Sequence, residues 1–289
     1  MPLPALSVVN RLPNPMQIFD VLLIQPIVNI LVTFYHLLSF AHIPYALGFS
    51  IILMTVSIRL LLYPLTATQL RVSKKMQELN PHISNIKAKH KGDMKRQQEA
   101  TMALYKEHNV NPAAGCLPGL VQIVVLLFGL YPALLKILTL NGKDVVATVN
   151  HLVYLPALRI STPWDTSFLG VHLGQTPGQL FSTVGPVILL IPILTAAFQF
   201  IQSKMMAPAK DPKALAIKKD GNKQEDFATT FQKQSLYLLP VMIGVFSWNF
   251  SVGLSLYWNT FTVFGIIQQY KVAGLGAAHE WVDRLRSKK

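Results

Sequence analysis

Gly48-Phe-Ser-Ile-Ile-Leu-Met-Thr-Val-Ser-Ile-Arg59-Leu-Leu-Leu-Tyr-Pro-Leu65 is an apolar run with one arginine inside it. The nearest charged residues are Asp20 on one side and Arg71 on the other. A run of this length and composition is a membrane-span candidate, since about 20 apolar residues in a helix cross a bilayer core. The spacing predicts a first span over 46–69, with Arg59 near its middle, about 15–20 Å along the axis from either end.

The rest of the chain agrees with lipid as its solvent. Of 289 residues, 51% are hydrophobic and only 13% charged, against about 25% in a soluble domain. Charged residues are missing from 21–58, 108–135, 166–203 and 234–270, and each gap holds at least one span. The net charge of +13 is concentrated: nine of 26 basic residues lie in Arg71–Lys106, seven in Lys204–Lys233 and five in Lys271–Lys289. Basic flanks stay in the cytoplasm. The N-terminus and the 140–180 loop therefore fall outside and the C-terminus inside. This clustering in membrane-flanking segments argues against specific nucleic-acid binding. The single Cys116 rules out an intrachain disulfide framework. No cleavable signal or Arg-rich transit sequence is evident at the N-terminus, which points to a bacterial plasma membrane.

Along the chain, Gln25, Asn29, Thr33 and His36 draw one polar stripe on 20–41. An amphipathic helix in the outer interface fits it; an additional span, which would put the N-terminus inside, is the alternative. After the first span, Met76, Leu79, Ile83 and Ile86 recur at helical spacing. Pro81 interrupts this arm, Lys91-Gly92-Asp93 marks a turn, and a second arm carries Leu104 and Tyr105. A cytoplasmic helical hairpin over 71–110 follows. Further spans are expected at 114–135 and 182–203. Two short ones fit in 234–270, which is barely long enough for two crossings and favours a thin membrane. The expected fold is all-α with five transmembrane helices, N-out and C-in. It divides into an N-terminal segment 1–43, a core 44–272 with an outer loop 138–180 and a cytoplasmic loop 204–233, and a basic tail 273–289.

Arg59 carries the functional reading. An arginine at the bilayer centre costs about 2.5–3.5 kcal/mol on insertion scales. No acidic residue or histidine lies in the five spans to offset this. A hydrated cavity lined by hydroxyls and amides would do so. Thr55, Arg59, Tyr63 and Thr66 form one stripe, and Gln122, Thr195, Gln199, Gln202, Ser255, Asn259 and Thr262 supply polar groups on other spans. An unpaired positive site suits a negative visitor, such as carboxylates on a translocating tail. No phosphate-cradling loop appears, so the last step is driven by transfer of apolar segments into lipid. Ion and proton pathways use intramembrane Asp, Glu or His, absent here, although an anion pathway through Arg59 stays open. Neither His-Glu-x-x-His nor Gly-x-Ser-x-Gly occurs, and the histidines fall at no metal-ligand spacing. The chain therefore reads as a non-enzyme without metal or cofactor, with Cys116 a small core residue.

The opening run, followed in order by Met76-Gln-Glu-Leu-Asn-Pro81, Leu104-Tyr105, Asn111-Pro112, Gly115-Cys-Leu-Pro118, Gln122, Phe200-Ile-Gln202, Met205 and Gly253-Leu-Ser-Leu-Tyr-Trp-Asn259, resembles the YidC/Oxa1/Alb3 membrane protein insertases. The resemblance covers about 24–272 and is closest to the short, Gram-positive-type members. It implies a five-span core and a hydrophilic groove open to cytoplasm and lipid but closed outside. Arg59 would lie in this groove, with Trp258 and residues near Thr55 along the path where substrate helices leave. It implies nascent membrane proteins as substrates, and the Sec translocon, targeting factors and ribosomes as partners. The last loop departs from the family pattern, reading Phe250-Ser-Val-Gly253 without a proline after the aromatic. The short tail makes strong ribosome docking doubtful. A chaperone or Sec accessory without insertion activity is the alternative function.

Overall fold

The computed structural model describes residues 18–138, 143–207 and 227–279. The expectations for most of the N-terminal segment, for most of the cytoplasmic loop and for the last part of the tail lie outside the described residues.

The chain is an all-α membrane protein with one small hairpin of strands. A wide helical turn, Asp20–Ile24, leads into α1 (Gln25–Phe40). Then come α2 (Ala46–Leu61), α3 (Tyr63–Glu78), α4 (Asn80–Lys89) and α5 (Met94–Glu107). A long helix follows as α6 (Pro112–Val124), a wide turn at Val125–Leu130, and α7 (Tyr131–Leu138). Next are α8 (Lys143–Leu152), β1 (Ser167–Phe168) paired antiparallel with β2 (Val171–His172), and α9 (Pro177–Val184). The helices α10 (Leu190–Met206), α11 (Phe227–Ser247) and α12 (Val252–Val272) complete the order. Asp20–Phe40, Pro112–Leu138 and Pro186–Met206 are each long and apolar enough to cross a membrane, and α2 with α3 forms a bent fourth candidate.

The sequence expectation of a straight first span over 46–69 is corrected. The helix breaks at Leu62 and α3 leaves α2 at 63°. Pro64 favours the break: in a continuous helix its ring would collide with the carbonyl of Leu60, whereas near the start of a new helix its missing N–H is no loss. Arg59 therefore occupies the last turn of α2, not the middle of a long span. The two helices expected within 234–270 extend beyond it at both ends, while the apolar part of the first is short, Leu236–Ser247. α11 and α12 are 21 residues each, about 31 Å of helix apiece, because α11 extends back through the polar residues from Phe227. The third span also starts later than expected. Residues 182–189 belong to the end of α9, a break at Gly185 (φ +78) and a tight turn before α10.

α12 is the central helix, packed against α2, α3, α7 and α10, with α11 beyond α10. Around it the usual distribution of a soluble protein is inverted. Leu120, Ile123, Leu127, Leu190, Ile193, Val241 and Val245 face outward, while Ser50, Thr55, Arg59, Thr66, Thr195, Ser255, Thr262 and Gln268 are buried. Lipid rewards the first group, and the second must find partners inside.

On the outer side, an apolar core joins α1, α2 and α7 to the loop, with Val28, Leu31, Leu47, Ile51, Leu134, Val149 and Leu173 packed together. Leu169 and Gly170, both at positive φ, make the two-residue turn between the strands, the geometry that matches strand twist. This loop also caps α12. The N–H groups of Val252 and Gly253 donate to the carbonyls of Gln175 and Leu173, each at 2.8 Å. Two of the helix's otherwise orphaned donors are thereby satisfied.

The polar stripe of α1 finds protein partners. Asn29 is buried, donates to the Leu152 carbonyl at 3.0 Å and accepts from the Tyr154 N–H at 2.8 Å. His36 lies 3.2 Å from the Leu158 carbonyl, and Asp20 pairs with Lys136 at 3.0 Å. These contacts tie α1 to 136–158. Asn29→Leu would leave the buried Leu152 carbonyl unpaired, at about 1–3 kcal/mol, and would free the Tyr154 N–H. Its thermal unfolding in detergent is expected several degrees below that of the unaltered protein, with faster amide exchange at 152–158.

Between α3 and α6 the hairpin forms with its break where Pro81 predicts. Leu79 separates α3 from α4, Gly92 (φ +87) turns the chain, and the Asp93 carboxylate caps α5 by accepting the Arg96 N–H at 3.0 Å. Leu79 is buried; Met76, Ile83, Leu104 and Tyr105 are half-buried, while Met94 and Met102 are exposed.

Candidate functional site

Arg59 is 5% exposed, so nearly the whole guanidinium must be accommodated by protein. Its Nη2 donates to the Phe261 carbonyl at 2.8 Å. Its Cζ lies 3.4 Å from the centre of the Phe261 ring and 5.9 Å from that of Phe264. Its Nε finds no partner. Neither of the described ion pairs Arg96–Asp93 and Lys136–Asp20 includes Arg59.

A cavity opens beside it, lined by Thr55, Ile58, Arg59, Leu62, Thr66, Gln122, Val125, Leu130, Tyr257 and Phe261. It offers about 20 Å³ to the centre of a water molecule, space for about one water. That is smaller and more apolar than the hydrated, amide-lined cavity expected from sequence. Four predicted residues meet there: Thr55, Arg59, Thr66 and Gln122. Thr55 spends its hydroxyl on the Ile51 carbonyl at 2.6 Å. Gln202, from α10, is not in the lining but approaches Arg59 beside Gly265. A methyl group at Gly265 would overlap the Gln202 amide and lie 2.8 Å from Arg59 Nη2.

The other predicted residues form separate clusters. The Trp258 indole donates to Gln199 at 3.4 Å, between α12 and α10. Ser255 lies 3.1 Å from Ser247, which lies 3.3 Å from Thr195, a buried chain of hydroxyls joining three helices. Thr262 turns back to the Trp258 carbonyl, and Asn259 Oδ1 is buried without a partner. Tyr63, beyond the bend, leaves the Arg59 stripe; its carbonyl takes the Gln268 amide, which also bonds the Thr66 hydroxyl. The hairpin residues Met76, Leu79, Pro81, Ile83, Asp93, Leu104 and Tyr105 lie outside this cavity. Burial raises the Tyr105 phenol above its ordinary pKa.

Sequence reasoning missed Phe261, Phe264 and Tyr257 as site residues. Aromatics in an apolar span read as lipid-facing or core. The available signal was spacing: Tyr257, Phe261 and Gly265 fall four apart, on one face of α12.

The family described as 60Kd inner membrane protein matches residues 15–276 of this chain. The chain is 34% identical over 255 residues to the inner membrane protein ALBINO3 of Arabidopsis thaliana chloroplasts, covering 87% of this chain and 52% of that protein. It is 31% identical over 230 residues to the membrane protein insertase YidC of Fusobacterium nucleatum, covering 80% and 87%. With the membrane protein insertase MisCA of Bacillus subtilis the identity is 34% over 231 residues, covering 78% and 70%. The chain spans about half the length of the chloroplast relatives. It belongs to the YidC/Oxa1/Alb3 insertase family. Family and apolar helices together make it a multi-pass protein of the plasma membrane.

Proposed function

We propose that this chain inserts other proteins into the bilayer: short polar tails are received beside Arg59, and the apolar segments that follow are released sideways into lipid. The observation that carries the reading is a buried guanidinium held by an aromatic face and a carbonyl, with no carboxylate bound to it among the described residues, inside a bundle whose outer surface is apolar. Such a group has N–H donors to offer a negative visitor. Its site lies between α2, α6 and α12, and Trp258 of α12 with Gln199 of α10 forms the exit side. Thr55, Tyr63, Gln122, Gln202, Ser255, Asn259 and Thr262 complete the path, which widens from the narrow cavity as a substrate enters.

The topology that goes with this function has five spans, N-terminus outside and C-terminus inside, with α1 lying in the outer interface. Its docking onto 136–158 supports that placement, and the basic hairpin and tail support the orientation. The core is 44–272, preceded by the outer segment 1–43 and followed by the basic tail. Substrates are nascent membrane proteins. The Sec translocon, targeting factors and ribosomes are partners for the hairpin 71–110. The reaction is not enzymatic; hydrophobic transfer supplies the driving force.

The test is reconstitution into liposomes with a single-span protein bearing a short acidic tail, scored by protease protection of the tail. Protection that requires this protein, without ATP, supports insertion. If correctly oriented protein gives no protection, the chaperone or Sec-accessory reading replaces it.

A further inference from the structure

A buried arginine can be held in two ways that differ in what they leave free. A carboxylate holds it through its N–H fork and occupies the fork in doing so. An aromatic ring holds it through its face, drawing the cation to the ring's negative quadrupole and leaving the in-plane N–H edge unspent. Arg59 is held in the second way, with Cζ 3.4 Å above Phe261 and one N–H given to the Phe261 carbonyl.

That hydrogen bond has its own requirement. The carbonyl of a helical residue points toward the side chain four positions on. For Phe261 this position is Gly265, where a methyl group would come within 2.8 Å of Arg59 Nη2 and overlap the Gln202 amide. The glycine leaves the carbonyl open and brings a second amide to the same spot. Tyr257 lies one turn before Phe261, with the ring centres 5.6 Å apart, and limits where the Phe261 ring can go.

We propose that Phe261 is a positioning residue for Arg59: its ring and carbonyl hold the guanidinium by face and by one N–H, so that the remaining edge stays open to a substrate carboxylate. Gly265 serves the same purpose by exposing the carbonyl. This inference rests on the carboxylate-receiving role of Arg59 proposed above, and adds how the guanidinium is held for that role by the Phe261 ring and carbonyl.

The test uses two single-span substrates identical except for tail residues, Asp in one and Asn in the other, with equal amounts of correctly oriented insertase in liposomes. The readout is the ratio of acidic-tail to neutral-tail insertion, which a general loss of structure would not move. Phe261→Leu, similar in bulk but without a π face, is expected to lower this ratio by about three- to tenfold. Phe261→Tyr keeps the face and is expected to keep the ratio. Gly265→Ala, which crowds Nη2 off the carbonyl, is expected to lower it as well. An unchanged ratio in Phe261→Leu while Arg59→Ala lowers it overturns this inference alone, as does an equal fall in Phe261→Tyr. An unchanged ratio in Arg59→Ala removes the carboxylate-receiving role and this inference with it.

Discussion

Arg59→Ala is expected to lower insertion of an acidic-tailed single-span protein by about tenfold or more, while Arg59→Lys keeps much of the activity. The magnitude follows from the chemistry: hydrogen bonds to charged groups contribute about 1.5–3 kcal/mol, and each 1.4 kcal/mol is a factor of ten. Alanine removes every donor and the charge; lysine restores the charge on a long stem but loses the planar fork. Folding should survive alanine, because among the described residues no carboxylate offsets the buried guanidinium, and the partners it leaves are the Phe261 carbonyl and ring and the more distant Phe264 ring. Protease protection in liposomes measures the effect, with detergent melting as the folding control. Full activity of the alanine form at normal abundance would remove the electrostatic step and leave hydrophobic transfer as the whole mechanism.

Gly174→Ala is expected to be among the most damaging changes available outside the Arg59 site. A methyl group there would overlap the Leu138 carbonyl oxygen, and backbone cannot swing aside as a side-chain tip can. The strain falls on the segment whose Leu173 and Gln175 carbonyls cap α12 and which packs beside Gly253, itself without room for a side chain against Leu138. Overpacking of this kind costs about 1–3 kcal/mol. Thermal unfolding of the purified variant should drop by several degrees, and amide exchange at 252–255 should quicken. Unchanged melting and exchange would mean that the outer loop yields without disturbing α12.

Charge gaps made the helical membrane class legible, because lipid excludes charge over lengths that sequence displays directly. Arg59 was legible for the same reason. The bend at Leu62 was harder to read: Pro64 is compatible with a helix start as well as with a kink, and only packing of α3 against α6 and α12 selects the break. The extent of α11 was hidden because its first residues are polar and continue the helix beyond the apolar run. The gathering of Thr55, Arg59 and Gln122 was partly legible from their stripes. The separation of Ser255 and of Trp258 with Gln199 into clusters of their own was not, since spacing gives the face of a helix and not its depth. The aromatic hold on Arg59 needed three dimensions, because it joins residues 202 positions apart.

A guanidinium resting on a phenyl ring has no proton to trade. An arginine side chain keeps its proton at physiological pH, and no Asp or Glu occurs between Asp20 and Glu78, or between Asp226 and Glu280. Protonation then matters only on the passenger. On the mechanism proposed above, a tail carboxylate would pair with Arg59 while ionised and lose that pairing as pH falls through about 4, so that the acidity of each compartment would act on the cargo.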